Sequence, residues 1–214
     1  WPHLCSVVAI EEALRARAGG ATVMVNLRLG IFAGQRYGLG LLPILVPRLK
    51  TQLVPWVAGG RTSLPIIAGE DVGAALALAA TAEGLSGFEG FNIVGPEVPS
   101  VRQVIDFLHD EYGLPRPHFS VPFPVAHAFA RLMEVVDPVV PWSPLVTRSI
   151  VHLLAETRVD NQRATERLGY TPRVHWRDAI RAQMAEMAWR ETAAMRLAKA
   201  TEGGGAERLR RRAL

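Results

Sequence analysis

The histidines and acidic residues of this 214-residue chain are the side chains most able to bind a metal ion. His109, Asp110 and Glu111 are consecutive near the end of a predicted helix, and His118 follows in the next segment. A zinc-binding helix commonly carries a His-x-x-x-His pair, and these residues form no such pair. The pattern therefore favours solvated polar positions, and it predicts no metal site.

The candidate nucleophiles lack the surroundings that would activate them. Ser143 and Ser149 do not lie in a glycine-flanked turn between a strand and a helix, which is how a catalytic serine is exposed in many hydrolases. Glu11 and Glu12 are adjacent on a predicted helix, so their carboxylates diverge and cannot share a substrate. Cys5 is the single cysteine, which excludes an internal disulfide and a cysteine-based metal site. We assign no catalytic residue.

The glycines of the chain do not form a phosphate-binding loop. A dinucleotide cradle needs Gly-x-Gly-x-x-Gly or a close variant between a first strand and its helix, because the pyrophosphate lies at that helix N-terminus. Gly38, Gly40 and the pair Gly59-Gly60 do not stand in such a unit. The sequence therefore predicts that this chain has no pyrophosphate cradle.

Strands and helices are expected to alternate along the chain, which indicates an α/β architecture. Asp71 is predicted to cap a helix of small residues, and Ser100 with Gln103 forms a capping-box pattern for the next helix. A glycine-rich loop is expected over residues 30–40. Helices are expected over residues 4–18, 41–50, 72–82, 100–112, 123–136 and 176–200, with a short one between Asp160 and Gly169. Strands are expected over 21–29, 53–57, 64–68, 91–94 and 118–121, and the strand over 21–29 is expected in a parallel sheet with that over 91–94.

The composition describes a globular protein with a basic end. The chain is 49% hydrophobic, 21% charged and only 7% aromatic, which disfavours a nucleic-acid binder that works by base stacking. Most of the net charge of +4 comes from the arginines of residues 207–214, and Gly203–Gly205 is expected to separate a disordered basic tail, residues 201–214, from the domain over 1–200. No apolar run is long enough to span a membrane. The single cysteine favours a reducing, cytoplasmic setting, and Trp1 in place of an initiator methionine suggests that a longer protein contains this chain.

Four segments in order resemble the extended short-chain dehydrogenases/reductases, which include NAD(P)-dependent epimerases and dehydratases. Residues 27–34 resemble the family's Leu-Arg-Pro-x-x-x-Tyr-Gly, and residues 66–72 resemble its Ile-His-Val-Asp-Asp-Val. Residues 91–93 resemble its Tyr-Asn-Val, and Asp160 with residues 168–172 resembles its Asp…Leu-Gly-Trp-x-Pro. The resemblance implies an incomplete Rossmann-like parallel sheet with a C-terminal, mostly helical substrate-binding region.

The resemblance also implies a nicotinamide cofactor, NAD or NADP, with Leu29, Gly30 and Ile31 beside the nicotinamide. The family's catalytic Tyr-x-x-x-Lys aligns with His3 and Val7, and valine can neither lower a neighbouring pKa nor hold a ribose hydroxyl. We therefore expect the chain alone to bind the cofactor weakly or not at all.

The substrate region departs from the nucleotide-sugar members of the family. Leu64 stands where those members usually have an arginine, and Ala68 replaces the histidine of the Ile-His-Val segment. With less charge available for a diphosphate, the expected ligand is a small apolar molecule of the steroid, lipid or phenolic kind. Trp56, Leu64, Pro65 and Phe123 are the predicted substrate-binding residues, although such residues equally well fill a core.

Three functions remain open at this point. The chain is the substrate-binding part of an oxidoreductase or epimerase, or a non-catalytic binding module of the same fold. Alternatively, residues 208–212 attach it to a membrane surface or to an acidic partner. The sequence leaves undecided the substrate, the choice between NAD and NADP, and the oligomeric state, a homodimer included.

Overall fold

A computed structural model describes residues 2–20, 22–36, 40–136 and 159–212. Its helices are α1 (Pro2–Arg17), α2 (Leu41–Lys50), α3 (Gly69–Thr81), α4 (Val101–Tyr112), α5 (Phe123–Val136), α6 (Gln162–Leu168) and α7 (Trp176–Arg212). Its strands are β1 (Met24–Leu29), β2 (Ile31–Ala33), β3 (Trp56–Val57), β4 (Ile66–Ala68), β5 (Phe88–Ile93) and β6 (Ser120–Val121). The alternation expected of an α/β chain is confirmed.

The strands pair in three parallel couples among the described residues. β1 pairs with β5, with Met24 opposite Phe88 and Leu29 opposite Ile93. β2 pairs with β4, and β3 pairs with β6. The predicted parallel pairing of the first long strand with the strand around residue 91 is therefore confirmed. β3 and β4 are consecutive strands in the chain, but they pair with different partners.

Gly30 divides one stretch of extended chain between two sheets. Its N–H donates to the carbonyl of Ile93 at 2.9 Å, while the next N–H, that of Ile31, donates to the carbonyl of Pro65 at 2.7 Å. A Cβ atom on Gly30 would lie 2.7 Å from the Pro65 carbonyl oxygen, which explains why glycine stands here. The loop predicted over residues 30–40 is wrong at its start, because this second pairing turns Ile31–Ala33 into a strand.

Two apolar cores lie on opposite faces of β4. Ile66 and Ala68 face a larger core that also contains Leu42, Leu108 and Ile180. Ile67 faces a smaller core with the α3 side chains Val72 and Ala75, and with Phe91 and Tyr170. Alternate residues of a strand point to opposite faces. Ile66 and Ala68 therefore line the larger core, and Ile67 between them lines the smaller core.

The helix ends follow local sequence signals in some places and not in others. The Ser100 hydroxyl accepts from the Gln103 N–H while the Gln103 side chain accepts from the Ser100 N–H, so the predicted capping box is confirmed. Gly113 ends α4 and Gly169 ends α6, both in the left-handed conformation that glycine adopts readily.

The C-terminal helix differs from its prediction. α7 extends to Arg212, beyond the end expected near Ala200 and through the segment expected to be a disordered tail. A glycine inside a helix costs about 1 kcal/mol relative to alanine, but it does not by itself end the helix. The division of the chain into a domain over 1–200 and a tail over 201–214 stays a prediction. Among the described residues, no helix combines the length and apolar character that crossing a membrane requires.

Candidate functional site

The residues predicted beside a nicotinamide lie where the chain leaves β1 and enters β2. Leu29 ends β1 and remains 38% exposed, Gly30 lies between the two sheets, and Ile31 begins β2. Ligands of open α/β sheets bind at the carboxyl ends of parallel strands, and Leu29 is at such an end. The bond from the Ile31 N–H to Pro65 brings a predicted substrate residue against this group.

The other predicted substrate residues lie mainly in the protein interior. Trp56 and Leu64 are both buried in the larger core. The Arg102 guanidinium lies over the Trp56 ring at 4.3 Å and donates to the Gly59 carbonyl at 3.0 Å. Trp56 and Leu64 therefore both belong to the apolar core, and their role in binding a substrate stays a prediction.

Phe123 belongs to a separate and smaller apolar cluster. It is half-buried at the start of α5, stacks on His127 at 6.4 Å between ring centroids, and packs around Ala126 with Val57 and Val121. The pairing of β3 with β6 places Trp56 opposite Ser120, close in sequence to Phe123. The structure thus brings Pro65 into contact with the predicted cofactor residues, whereas Phe123 belongs to the separate cluster around Ala126.

Asp71 has a different role from the predicted helix cap. α3 begins at Gly69, so Asp71 lies inside the first turn, and the helix has no side-chain cap bond. Its carboxylate is 2% exposed and accepts from the backbone N–H of Arg173 at 2.9 Å and of Val174 at 3.0 Å. Asp71 therefore fixes the segment that leads into α7, which a local sequence pattern cannot reveal because the partners are about 100 residues away.

Asn161 is a second positioning residue that sequence reasoning missed. Its side chain accepts from the Val94 N–H at 2.8 Å and donates to the Val94 carbonyl at 2.9 Å, as a neighbouring strand would do. Tyr170 donates to the same carbonyl at 3.2 Å. Burial, with a smaller contribution from the Asp71 carboxylate, raises the pKa of the Tyr170 hydroxyl well above its ordinary value. Asp160, where the sequence suggested that this helix begins, accepts from the Gln162 N–H, but the N-cap position of α6 is Asn161.

Glu11 holds helix α1 on β1. This helix carries His3 and Val7, the positions that align with the catalytic tyrosine and lysine of the family that the sequence resembles. The Glu11 carboxylate accepts from the Arg28 Nε at 3.0 Å and from the Asn26 amide at 2.9 Å. Hydrogen bonding from Arg28 lowers the pKa of this carboxyl. Val7 is 49% exposed on the same helix, and both His3 and Val7 belong to α1.

The N-termini of α3 and α4 are poorly suited to the pyrophosphate of a dinucleotide. The α3 N-terminus follows strand β4 directly, but Glu70 and Asp71 place negative charge in its first turn. At α4 the N–H groups of Ser100, Val101 and Gln103 already have acceptors within the protein. An anionic diphosphate is therefore disfavoured at both of these helix N-termini.

The polar residues considered for a metal have other partners. The His109 Nδ1 lies 2.7 Å from the Leu114 carbonyl oxygen, and Asp110 accepts from Arg116 at 2.9 Å. The Glu111 carboxylate accepts from Nε and Nη2 of Arg181. An open apolar groove of about 450 Å³ lies elsewhere, between β1 and α3, and none of the four predicted substrate residues lines it.

Known proteins match this chain in fold. No family model and no curated protein matches the sequence. A nucleoside-diphosphate-sugar epimerase from Pseudomonas aeruginosa matches with a TM-score of 0.62 and 15% identity over 83% of this chain and 52% of its own. The Helicobacter pylori ADP-L-glycero-D-manno-heptose-6-epimerase matches at 0.54, with 14% identity over 85% and 49% of the two chains.

A third solved structure is the human epimerase family protein SDR39U1 with NADPH, at a TM-score of 0.54 and 20% identity over 78% of this chain and 50% of its own. The chain thus spans about half the length of these three structures. At such identities the likeness establishes the fold alone, and it confirms an incomplete Rossmann-like architecture shared with these three structures.

Proposed function

We propose that this chain is the substrate-binding part of an NAD(P)-dependent oxidoreductase or epimerase that acts on an apolar hydroxy or keto compound. The observation that carries the proposal is the position of Leu64. It is buried in the larger core, immediately before Pro65, whose carbonyl accepts from the Ile31 N–H beside Gly30. Apolar side chains and the predicted cofactor edge are therefore adjacent in this fold.

The substrate class follows from charge. A nucleotide diphosphate needs charge-assisted hydrogen bonds, which arginine supplies in pairs. Leu64 supplies none, because it is an apolar side chain packed among other apolar residues. Arg61 is the nearest cation in sequence and is exposed. This supports an uncharged, apolar substrate in place of a nucleoside-diphosphate sugar, the class after which the Pseudomonas aeruginosa neighbour is named.

The substrate class is tested by thermal-shift and calorimetric screens of the chain with steroid-like ketones, phenolic ketones and UDP-glucose. We expect the ketones to bind and UDP-glucose not to bind. Leu64→Ala should weaken ketone binding, whereas Leu114→Ala, a truncation of another buried leucine in the same core, should lower stability without this effect. Binding of UDP-glucose with no binding of ketones would overturn the substrate assignment.

The cofactor belongs to the same proposal. Since the N-termini of α3 and α4 are poor sites for a pyrophosphate and the chain has no glycine-rich cradle motif, we expect calorimetric titration of NAD(H) or NADP(H) into this chain to show no micromolar dissociation constant. A micromolar constant would overturn this expectation and would mean that other residues of the chain hold the cofactor.

A non-catalytic binding module is the alternative, and Val7 is the observation that favours it. A half-exposed valine on α1 occupies the position that aligns with the catalytic lysine. Determining any coding sequence upstream of Trp1 distinguishes the two functions. A glycine-rich strand-turn-helix there supports an enzyme, and a sequence without one favours the binding module. An assay for NADPH-dependent reduction of a bound ketone by the full-length protein then separates catalysis from binding.

A further inference from the structure

Gln183 is a buried amide whose hydrogen bonds are unsatisfied within the part of the chain that the structure describes. The side chain is 1% exposed, and neither Nε2 nor Oε1 has a hydrogen-bond partner there. Leaving such a group unpaired in an apolar interior is unfavourable, and buried polar groups in folded proteins nearly always have partners. A residue that opposes stability in this way calls for a reason other than packing.

The position of Gln183 follows from its neighbours on α7. Trp176, Ala179 and Ile180 precede it at helical spacing and belong to the larger core, so Gln183 faces the same way. One turn later, the Glu186 carboxylate accepts from the backbone N–H of Arg36. Arg36 lies three residues beyond Ala33, the last residue of β2. These contacts place α7 beside the chain segment 33–36, with Gln183 on the side of the helix that faces the larger core.

The surroundings of that segment suit a ligand. Ala33 and Ala68 are paired at the carboxyl ends of β2 and β4, and both are fully or almost fully buried on the face that α7 covers. These two small side chains leave more room at the strand ends than the isoleucines Ile31 and Ile66 before them. The carboxyl ends of parallel strands are where open α/β sheets bind their ligands.

The chemistry of the amide limits what it binds. It is uncharged, with two donors on Nε2 and an acceptor on Oε1. The charged residues on either side along α7 are already paired, Arg181 with Glu111 and Asp178, and Glu186 with Arg36 and Arg190. With these nearest charges on α7 already compensated, a neutral oxygen is favoured as the partner of the amide.

We propose that the Gln183 amide binds a carbonyl or hydroxyl oxygen of an otherwise apolar substrate and selects for oxygenated over hydrocarbon ligands. This inference rests on the proposed function, because it names the polar contact of that apolar substrate. Gln183 is then retained at a cost in stability: leucine, of similar size and with no polar atoms, would pack better in the same core.

The test compares Gln183→Leu with the wild-type chain, using 2-tetralone and its hydrocarbon analogue tetralin as probes. We expect the variant to melt about 2–4 °C higher, as a gain of about 1 kcal/mol gives in a chain of this size. We also expect wild-type protein to bind the ketone about tenfold or more tightly than the hydrocarbon, and the variant to bind both alike. Met184→Leu, a conservative change of the neighbouring residue, should preserve the wild-type preference.

Three results would overturn the inference. A variant that keeps the ketone preference shows that Gln183 does not contact the oxygen, and the proposed function then stands without it. A variant that melts lower than wild type shows that the amide has a structural partner. If wild-type protein binds neither probe, the proposed apolar substrate site fails as well, so the two failures are distinguishable.

Discussion

Replacement of Asp71 by alanine tests whether the carboxylate fixes the entry to α7 or merely caps α3. The substitution removes the acceptor of two backbone N–H groups, those of Arg173 and Val174. An N–H left unpaired in the interior costs about 1–3 kcal/mol, and the lower value applies to Arg173 because that residue is exposed. Losing negative charge in the first turn of α3 adds about 0.3–1 kcal/mol.

The expected loss for Asp71→Ala is therefore about 2–5 kcal/mol in the free energy of unfolding, a large share of the 5–15 kcal/mol typical of a domain. The measurement is urea unfolding followed by circular dichroism. Glu70→Ala is the matched control, since Glu70 is an exposed acidic residue in the same helical turn. It loses the charge but no long-range hydrogen bond, so it should cost about 1 kcal/mol or less.

Equal losses for the two variants would refute this reasoning. They would mean that Asp71 acts only on its own helix, as the local sequence pattern suggests. Asp71→Asn provides an independent check, because one amide oxygen still accepts while the NH₂ group faces a backbone N–H. Its stability should lie between those of the wild type and Asp71→Ala.

Two further perturbations test the strand division and the buried tyrosine. Gly30→Ala should destabilise the fold by about 1–3 kcal/mol, because the new Cβ meets the Pro65 carbonyl. Gly73→Ala places its Cβ in open space on α3 and should stabilise the fold by about 0.5–1 kcal/mol. Equal urea midpoints for the two variants would contradict this pair of predictions. The raised pKa of Tyr170 favours its neutral form in the folded state, so its stability contribution is complete below pH about 10 and is lost as the pH rises through the folded-state pKa. Phenolate absorbance should therefore show one tyrosine that ionises only on alkaline unfolding, and Tyr170→Phe should remove it.

Local signals in the sequence predicted the elements whose causes are themselves local. The capping box at Ser100, the glycine end of α4 and the amphipathic start of α7 depend on residues a few positions apart. The parallel pairing of β1 and β5 was also predictable, because short β-branched and apolar runs between helices are typical of a parallel sheet. The fold class and the resemblance in fold were confirmed for the same reason: they depend on the order of such elements.

The sequence could not reveal roles that depend on distant partners. Asp71 resembles a helix cap in sequence, yet it binds backbone groups that fold back from residues 173 and 174. Gln183 stands on the apolar face of an otherwise regular helix, and only its burial without a partner makes it notable. The assignment of Trp56, Leu64, Pro65 and Phe123 to a substrate site stays a prediction, as do Leu29, Gly30 and Ile31 beside a cofactor.

The alternation of Ile66, Ile67 and Ala68 across β4 bears on how this protein comes apart. Either apolar core can separate only if β4 leaves its place, and that movement exposes the other core to water. The two cores should therefore open in a single cooperative event in place of two successive ones. Amide hydrogens of Leu108, whose side chain lies in the larger core, and of Phe91, whose side chain lies in the smaller core, should then exchange with solvent at similar free energies.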